Sequence, residues 1–298
     1  MSSLYSTIDY TKSVMAAVSA GATQTNLDNS RLRNNLRIVS RRLDSKLGAK
    51  SALFVPTIEA RDYLVTADRV NSVLNTFDLW HPYGGYLLSI TSVTIGSTTL
   101  TVGTDVVAYP STSVPPFKYL RLRNGQTWYD YCSTNAYDPL TLTVTGIWGV
   151  HRDYANAWAK VDDITNAAGI TASQTTFTGA DVDGADQYGI TPRISAGNLV
   201  RVGTEYMDVT ATDIATNTAT VIRGVNGSTA AAHGLNDDVD VWQVEDPIRH
   251  IVARQTGLMY QRAGAYVTVE IQNLGGEIRF PADLLGEVYG VLQDMQFV

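Results

Sequence analysis

The chain has 298 residues, of which 44% are hydrophobic and 17% are charged, and its mean hydropathy is −0.05. This composition is typical of a globular protein of about two domains, and no stretch of the sequence approaches the roughly 18 apolar residues that a membrane span needs. The formal net charge of −7 disfavours a dedicated nucleic-acid binder, because such a protein presents a basic surface to phosphates.

The sequence contains one cysteine, Cys132, which excludes a disulfide within the chain. Its position between Tyr131 and Ser133 predicts that it packs as a small hydrophobic residue. The first 21 residues mix Asp9 with Lys12 and lack the apolar block of a signal peptide, which predicts a protein that is cytosolic when synthesised.

Charge is distributed unevenly along the chain. Residues 1–50 hold eight Lys and Arg against three acids, whereas residues 160–246 hold four against thirteen. Such asymmetry indicates that the two parts face different neighbours.

Two helices are predicted in the first 50 residues. Thr7 or Asp9 is suited to cap a short helix that runs through Val18. Asp28 or Asn29 is suited to cap the second. The second helix is predicted from an apolar stripe that recurs every three or four residues and stops before Gly48. The stripe consists of Leu32, Leu36, Val39, Leu43 and Leu47.

Basic side chains occupy the other faces of the second helix. They are interpreted either as a solvated face or as an interface with acidic surfaces of a neighbouring copy or a partner protein. DNA binding is the third interpretation, which the net negative charge disfavours. These side chains are Arg31, Arg33, Arg37, Arg41, Arg42 and Lys46.

From Ala52 to Val150 the apolar period changes to two, which predicts a half-buried antiparallel sheet. Gly96–Ser97 predicts a turn between two of its strands, and Thr66–Phe77 predicts one or two helical turns. The predicted strands are Ser89–Ile95, Thr98–Val102, Asp105–Tyr109, Lys118–Arg123 and Leu140–Trp148.

Residues 159–244 are rich in Thr, Ala, Gly and Asp, and they predict a small acidic β module. Asn226–Gly227 predicts a tight turn, because both residues accept a positive φ readily. The predicted strands are Leu199–Val202, Glu205–Thr210, Thr218–Arg223 and Val239–Gln243.

The helical period returns at Asp246, which is suited to cap a helix whose first position is Pro247. A strand-like segment, Tyr266–Gln272, follows. Pro281 then opens a last predicted helix, whose apolar stripe ends at Met295.

The order of these elements predicts an α+β fold, in which a small helical bundle with an antiparallel β-sheet carries an inserted small β domain. On this interpretation residues 1–158 and 245–298 form the core, and residues 159–244 form the insertion. Two consecutive domains are the alternative.

The sequence offers no recognisable catalytic constellation, so we expect no enzymatic activity, no cofactor and no metal. Asp181–Asp186 is only partly similar to a calcium loop, because the glutamate at the twelfth position is missing, and a solvated acidic loop is favoured. The histidines lack metal-binding spacing and are interpreted as structural. They are His81, His151, His233 and His250.

Several segments in a fixed order resemble the head-to-tail connector, or adaptor, proteins of siphophage-type tailed phages. They are the helix at 32–47, L-L-S-I-T-S-V-T-I-G-S-T-T-L at 87–100, D-V-V-A-Y-P at 105–110, V-T-G-I-W-G-V at 144–150, and D-P-I-R-H-I-V-A-R-Q-T-G-L-M-Y-Q-R at 246–262. The resemblance covers residues 25–158 and 245–295. The extra segment 159–244, with V-R-V-G-T-E-Y-M-D-V at 200–209, is similar to a small β unit that recurs in phage virion proteins.

The resemblance implies a structural protein of the virion that lies at the head–tail junction and is present in the host cytoplasm during assembly. It implies a homo-oligomeric ring of twelve subunits that docks on the portal protein. Such a ring extends the DNA channel without binding DNA specifically, and it receives the tail or a stopper or terminator protein. No membrane contact is expected.

Two sets of contact residues are expected. The resemblance implies that a C-terminal segment engages the portal, and here the candidates are Asp294, Met295, Gln296, Phe297 and Val298. The charge pattern places Arg33, Arg37 and Arg41 at an interface between subunits.

A function of a different class is the alternative. The sequence between Tyr83 and Trp158 is rich in Tyr and Trp, which favour interfaces. This region or the inserted domain is also compatible with a carbohydrate-binding or receptor-binding module of the virion.

Overall fold

The computed structural model describes residues 4–18, 27–50, 52–80, 83–110, 114–132, 140–187, 189–264 and 290. Within these residues the chain forms three α-helices and three antiparallel β-sheets, which is an α+β arrangement. The helices are α1 (Ile8–Val18), α2 (Asn29–Lys46) and α3 (Asp246–Gly264). Across the described part of the chain, no helix combines the length and the apolar character that crossing a bilayer requires.

The chain divides into two compact units. As far as it is described, the first unit contains residues 44–158 and 224–229, and the second contains residues 4–43, 159–223 and 230–264. Helices α1 and α3 therefore group with the acidic β segment. The boundaries of an inserted domain at 159 and 244 stay a prediction.

The first unit is built from strands β1 to β8. They form two antiparallel sheets, with the strand orders β1-β8-β4-β5 and β2-β3-β7-β6. The strands are β1 (Thr57–Leu64), β2 (Val70–Asn71), β3 (Thr76–Asp78), β4 (Tyr86–Ile95), β5 (Thr98–Leu100), β6 (Val106–Tyr109), β7 (Tyr119–Leu122) and β8 (Thr141–Gly149).

One apolar cluster joins the inward side chains of both sheets. Trp128 and Trp148 are completely buried within it, and each ring N–H donates to a backbone oxygen, that of Asn75 and of Glu59 respectively, both at 3.1 Å. These hydrogen bonds remove the penalty of burying an indole donor. Cys132 packs against the same cluster, as predicted, and burial raises the pKa of its thiol.

The first unit also buries an arginine. Arg61 is 2% exposed and lies in β1 with its guanidinium 4.1 Å from the ring centre of Trp148. Its Nε donates to Glu59 Oε1 at 2.7 Å, and its Nη1 donates to the Gly84 carbonyl at 2.7 Å. A buried cation needs such partners, because desolvation otherwise opposes the charged form.

The predicted Asn226–Gly227 turn is present and docks on β1. Asn226 has φ 51° and Gly227 has φ 80°, which is the left-handed region. Asn226 is buried, its carbonyl accepts the Ile58 N–H at 2.9 Å, and its Nδ2 donates to the Pro56 carbonyl at 3.1 Å. The turn thus pairs with the first strand of the first unit.

The sheet of the second unit has the strand order β10-β13-β12-β11-β14-β9, in which the strands from β10 to β14 pair antiparallel. Its inner face forms a core of aliphatic side chains around Phe177 and Met207. The strands are β9 (Trp158–Asp163), β10 (Thr176–Thr178), β11 (Leu199–Val202), β12 (Glu205–Asp213), β13 (Thr218–Ile222) and β14 (Asp238–Trp242).

Most predicted elements are confirmed to within a few residues. Between Thr66 and Phe77 one or two helical turns were predicted, and one is present as the short 3-10 turn Ala67–Arg69. The strands β2 and β3 that follow it were not predicted. Pairing of β3 with β7 satisfies this backbone in an extended form. Strands β1, β9 and β10 were missed. The predicted strand at 266–272 and the last helix lie outside the described residues, apart from Gly290.

We predict that Gly227→Ala destabilises the fold by about 3 kcal/mol or more, because the added Cβ would lie 1.9 Å from the Ile58 carbonyl oxygen. Gly125→Ala is the matched control, since its φ of 75° is similar and nothing lies within 4 Å of the added Cβ. The control should lose only about 1 kcal/mol of stability, which is the cost of placing an alanine in the left-handed region. Chemical denaturation measures the free energy of unfolding of both variants. Equal losses of stability in the two would show that the turn does not dock on β1.

Candidate functional site

Helix α2 carries the residues on which the expected subunit contact depends. Asp28 caps it by accepting the backbone N–H of Ser30 at 2.9 Å and of Arg31 at 3.3 Å. The Ser30 hydroxyl donates to the same oxygen, and these bonds lower the pKa of the Asp28 carboxyl. Gly48, with φ 70°, follows the end of the helix. The sequence predicted both limits.

The buried stripe of α2 holds four of its five predicted members, since Leu47 lies beyond the end of the helix and is half-buried. Leu32, Leu36, Val39 and Leu43 are completely buried, and the exposed face lies opposite them. That face carries Arg37 and Arg41, which are exposed and one helical turn apart, with Ile38 (37% exposed) between them. We call Arg37, Ile38 and Arg41 the cationic face.

The cationic face has no acidic counterpart on its own helix. The sequence of α2 contains one acid, Asp44, which is buried and accepts the Leu53 N–H at 3.1 Å. Arg37 Nη2 donates to the neutral Asn34 Oδ1 at 2.9 Å. Like charges one turn apart destabilise a helix slightly, so an external anion placed against this face would stabilise α2.

Arg33 is placed differently from Arg37 and Arg41. Its Nη2 forms an ion pair with Asp208 Oδ2, and its Nη1 donates to the Val209 carbonyl at 2.8 Å. The arginine side chain is 24% exposed and the aspartate side chain 7%. Arg33 therefore has an acidic partner within the chain, whereas the expected contact of all three arginines with a neighbouring copy stays a prediction.

Asp208 was not singled out by the sequence reasoning. It lies in β12 between Met207 and Val209, both completely buried. The sequence does contain a signal for Asp208, which is an acid inside an apolar strand. A buried carboxylate needs a cation, and the strongly basic helix of the same chain can supply one.

The acidic β module uses its own cations internally. Arg193 pairs with Asp181 and Arg201 with Asp240. Lys160 bonds Asp238 and Asp163, and these bonds raise the pKa of its ammonium group. The fourth cation, Arg223, is bound by Glu205.

The Glu205–Arg223 pair lies in a buried network. Arg223 Nε and Nη2 each lie 2.7 Å from a Glu205 oxygen, and His233 Nε2 lies 2.8 Å from Oε2. Glu205 is completely buried, so this pair links β12 to the loops around it and contributes nothing to the surface. All four Lys and Arg residues of 160–246 thus pair with acids of the same module. The acids in excess therefore determine the charge of its surface. Asp183 and Asp213 are among the exposed ones.

The aspartates at 181–186 are held by the protein itself. Asp181 Oδ1 accepts the Gly184 N–H at 3.0 Å, and Asp181 Oδ2 binds Arg193. Asp186 Oδ1 accepts the Ile190 N–H at 2.8 Å. Across the described ranges, His, Cys, Asp and Glu side chains do not gather in threes as a metal ion would require.

The histidines within the described ranges each contact neighbouring residues. His151 is buried and accepts the Asp153 N–H at 3.1 Å, and His250 Nδ1 lies 3.3 Å from the Tyr10 hydroxyl. His81 lies outside the described residues, and so do the expected portal contacts Asp294 to Val298.

A cleft of about 130 Å³ lies in the second unit, between the N-terminal segment and the end of β14. Its aromatic side chains are already engaged: Tyr5 and Trp242 are buried, and the Arg249 guanidinium lies 4.4 Å from the ring centre of Tyr10. Asp9 accepts a hydrogen bond from the Ser195 hydroxyl.

We predict that Arg33→Met destabilises the fold by about 2–3 kcal/mol, because it leaves the mostly buried Asp208 carboxylate without its cation. Arg37→Met is the control and changes stability by less than about 0.5 kcal/mol, because Arg37 is exposed. Urea denaturation of both variants measures the difference. A stable Arg33→Met protein would mean that the Asp208 carboxylate does not depend on Arg33.

Comparison of the chain with protein-family models, with curated proteins and with solved structures gives no match in any of the three.

Proposed function

We propose that this protein is a structural subunit of a tailed-phage virion, a head-to-tail adaptor that assembles into a ring beneath the portal. Two lines of reasoning support the proposal. The first is the ordered resemblance at 32–47, 87–100, 105–110, 144–150 and 246–262. The second, which carries the proposal, is that the chain has a cationic face on α2 and a module whose cations are all paired internally.

A ring requires two different surfaces on each subunit that complement each other head to tail. The cationic face and the surplus acids of the β module satisfy this requirement electrostatically. Arg33 and Asp208 make such a pair within one chain, which shows that arginines of α2 are compatible with carboxylates of this module. Arg37 and Arg41 are then available for the module of the next copy.

The finer organisation belongs to the same proposal. Residues 1–158 and 245–298 would be a connector core of a small helical bundle and a sheet, and residues 159–244 an inserted β domain. A net charge of −7 suits a subunit of a conduit, because an acidic ring does not retain DNA that slides through its lumen. The outward surfaces would receive the portal on one side and the tail, or a stopper or terminator protein, on the other.

We predict that reversing the charge of the cationic face abolishes assembly. The double variant Arg37→Glu/Arg41→Glu should stay monomeric under conditions in which the wild type forms rings, because two attractive contacts become repulsive. The wild-type rings should also weaken as ionic strength rises. Native mass measurement of the purified protein, alone and mixed with portal-bearing heads, determines the oligomeric state.

Arg37→Lys/Arg41→Lys is the matched control, because it keeps both charges and should still assemble. A wild-type protein that stays monomeric both alone and with portal-bearing heads would contradict the adaptor function. Normal rings from the charge-reversed variant would leave the adaptor function standing and remove the cationic face from the interface.

The C-terminal assignment has its own test. We predict that deleting residues 293–298 prevents attachment to portal-bearing heads but leaves ring formation intact, since the deletion removes the candidate portal contacts Asp294 to Val298. Co-sedimentation with heads measures attachment. Normal attachment of the truncated protein would show that this segment does not engage the portal.

A further inference from the structure

An apolar tip projects from the first unit at the hairpin between β2 and β3. Val73 is 90% exposed and Leu74 is 41% exposed. Tyr129, 50% exposed, lies on the turn that follows β7. Two adjacent aliphatic side chains at a hairpin end expose apolar area that water solvates unfavourably. We call Val73, Leu74 and Tyr129 the apolar tip.

The apolar tip is rigidly held. Asn71 Oδ1 accepts the backbone N–H groups of Val73 and Leu74, both at 3.1 Å. Asn75, in the left-handed region, donates to the Gln126 carbonyl at 2.9 Å and accepts the Trp128 N–H at 3.1 Å. These bonds join the hairpin to the turn that carries Tyr129. A preorganised surface loses little conformational entropy on binding, which favours a docking role.

An apolar groove lies beside β6, at one edge of the same sheet. Val73 and Leu74 lie at the turn between β2 and β3, the two strands farthest from β6 in the order β2-β3-β7-β6. The groove has a volume of about 560 Å³ and is open to solvent. Most of its lining is apolar, and Arg123 is the charged residue among the side chains that line it. The apolar lining includes Leu88, Ile90, Val107, Ala108, Pro115 and Phe117.

We infer that the apolar tip of one copy inserts into the groove of the next copy. A protruding apolar patch and a separate apolar groove on one molecule allow a head-to-tail contact between copies, which is the type that builds rings. The flanking charges also match, because the exposed Asp130 follows Tyr129 in the tip and Arg123 lines the groove. The inference rests on the proposed ring, and it adds a second contact distinct from the cationic face.

Photocrosslinking tests where the tip binds. A benzoylphenylalanine at position 73 is placed in the full chain, and isotopically heavy and light copies are mixed before irradiation of the assembled protein, alone or on portal-bearing heads. We expect mass spectrometry to find heavy–light crosslinks to peptides containing residues 88–90, 107–108 and 115–117. Crosslinks to position 73 itself, or only to other regions, would overturn the contact.

Substitution provides the second measurement. Val73→Asp/Leu74→Asp should weaken association at least about tenfold, because two carboxylates would have to enter an apolar groove. Leu64→Asp/Leu140→Asp is the matched control, since both leucines are exposed in the same unit (54% and 42%) and lie outside the groove lining. Thermal denaturation confirms that both double variants are folded.

The outcomes separate this inference from the proposed function. If the wild type assembles and the Val73→Asp/Leu74→Asp variant assembles equally well, the tip-in-groove contact is wrong and the adaptor ring stands. If the wild type never assembles, alone or on heads, both proposals are wrong. Loss of assembly in the tip variant alone, with crosslinks into the groove, supports both.

Discussion

The pairing of buried charge determines the electrostatics of this chain. Glu205 is completely buried, and it is tolerated there because Arg223 and His233 supply its hydrogen bonds. Arg193 and Arg201 also pair with aspartates of their own segment, at partly exposed positions. Residues 160–246 nevertheless hold thirteen acids against four Lys and Arg, so this segment carries a net negative charge. The charge that this segment presents to its surroundings therefore follows from the pairing of its cations with its own acids.

Local sequence rules predicted those elements whose stability is local. The Asp28 cap of α2, its Gly48 end and four of the five residues of its stripe were predicted correctly, because a cap and a 3.6-residue period act within one helix. The turn at Asn226–Gly227 was likewise predicted. Its docking on Ile58 was not, because that contact joins residues far apart in the chain.

The missed elements depend on tertiary contacts. Strand β1 has the sequence T-I-E-A-R-D-Y-L, and Arg61 is one of its buried residues. A pattern of hydrophobic residues predicts that an arginine faces solvent, so this strand was missed. The burial of Arg61 depends on Trp148 and on the Gly84 carbonyl. Similarly, the sequence places Arg33, Arg37 and Arg41 together on one helix. It does not reveal that Arg33 turns to Asp208, which is 175 residues away.

The two surfaces proposed for assembly have different physical roles. Arginine side chains are long and solvated, so the cationic face attracts an acidic surface over about a Debye length, before the two surfaces touch. The apolar tip acts only on contact, but Asn71 and Asn75 fix its shape before binding. A rigid tip can therefore set the angle between successive subunits, which charge attraction alone leaves undetermined. Closure of a ring needs a defined angle at every interface, and the hydrogen-bonded hairpin is the element of the first unit suited to impose it.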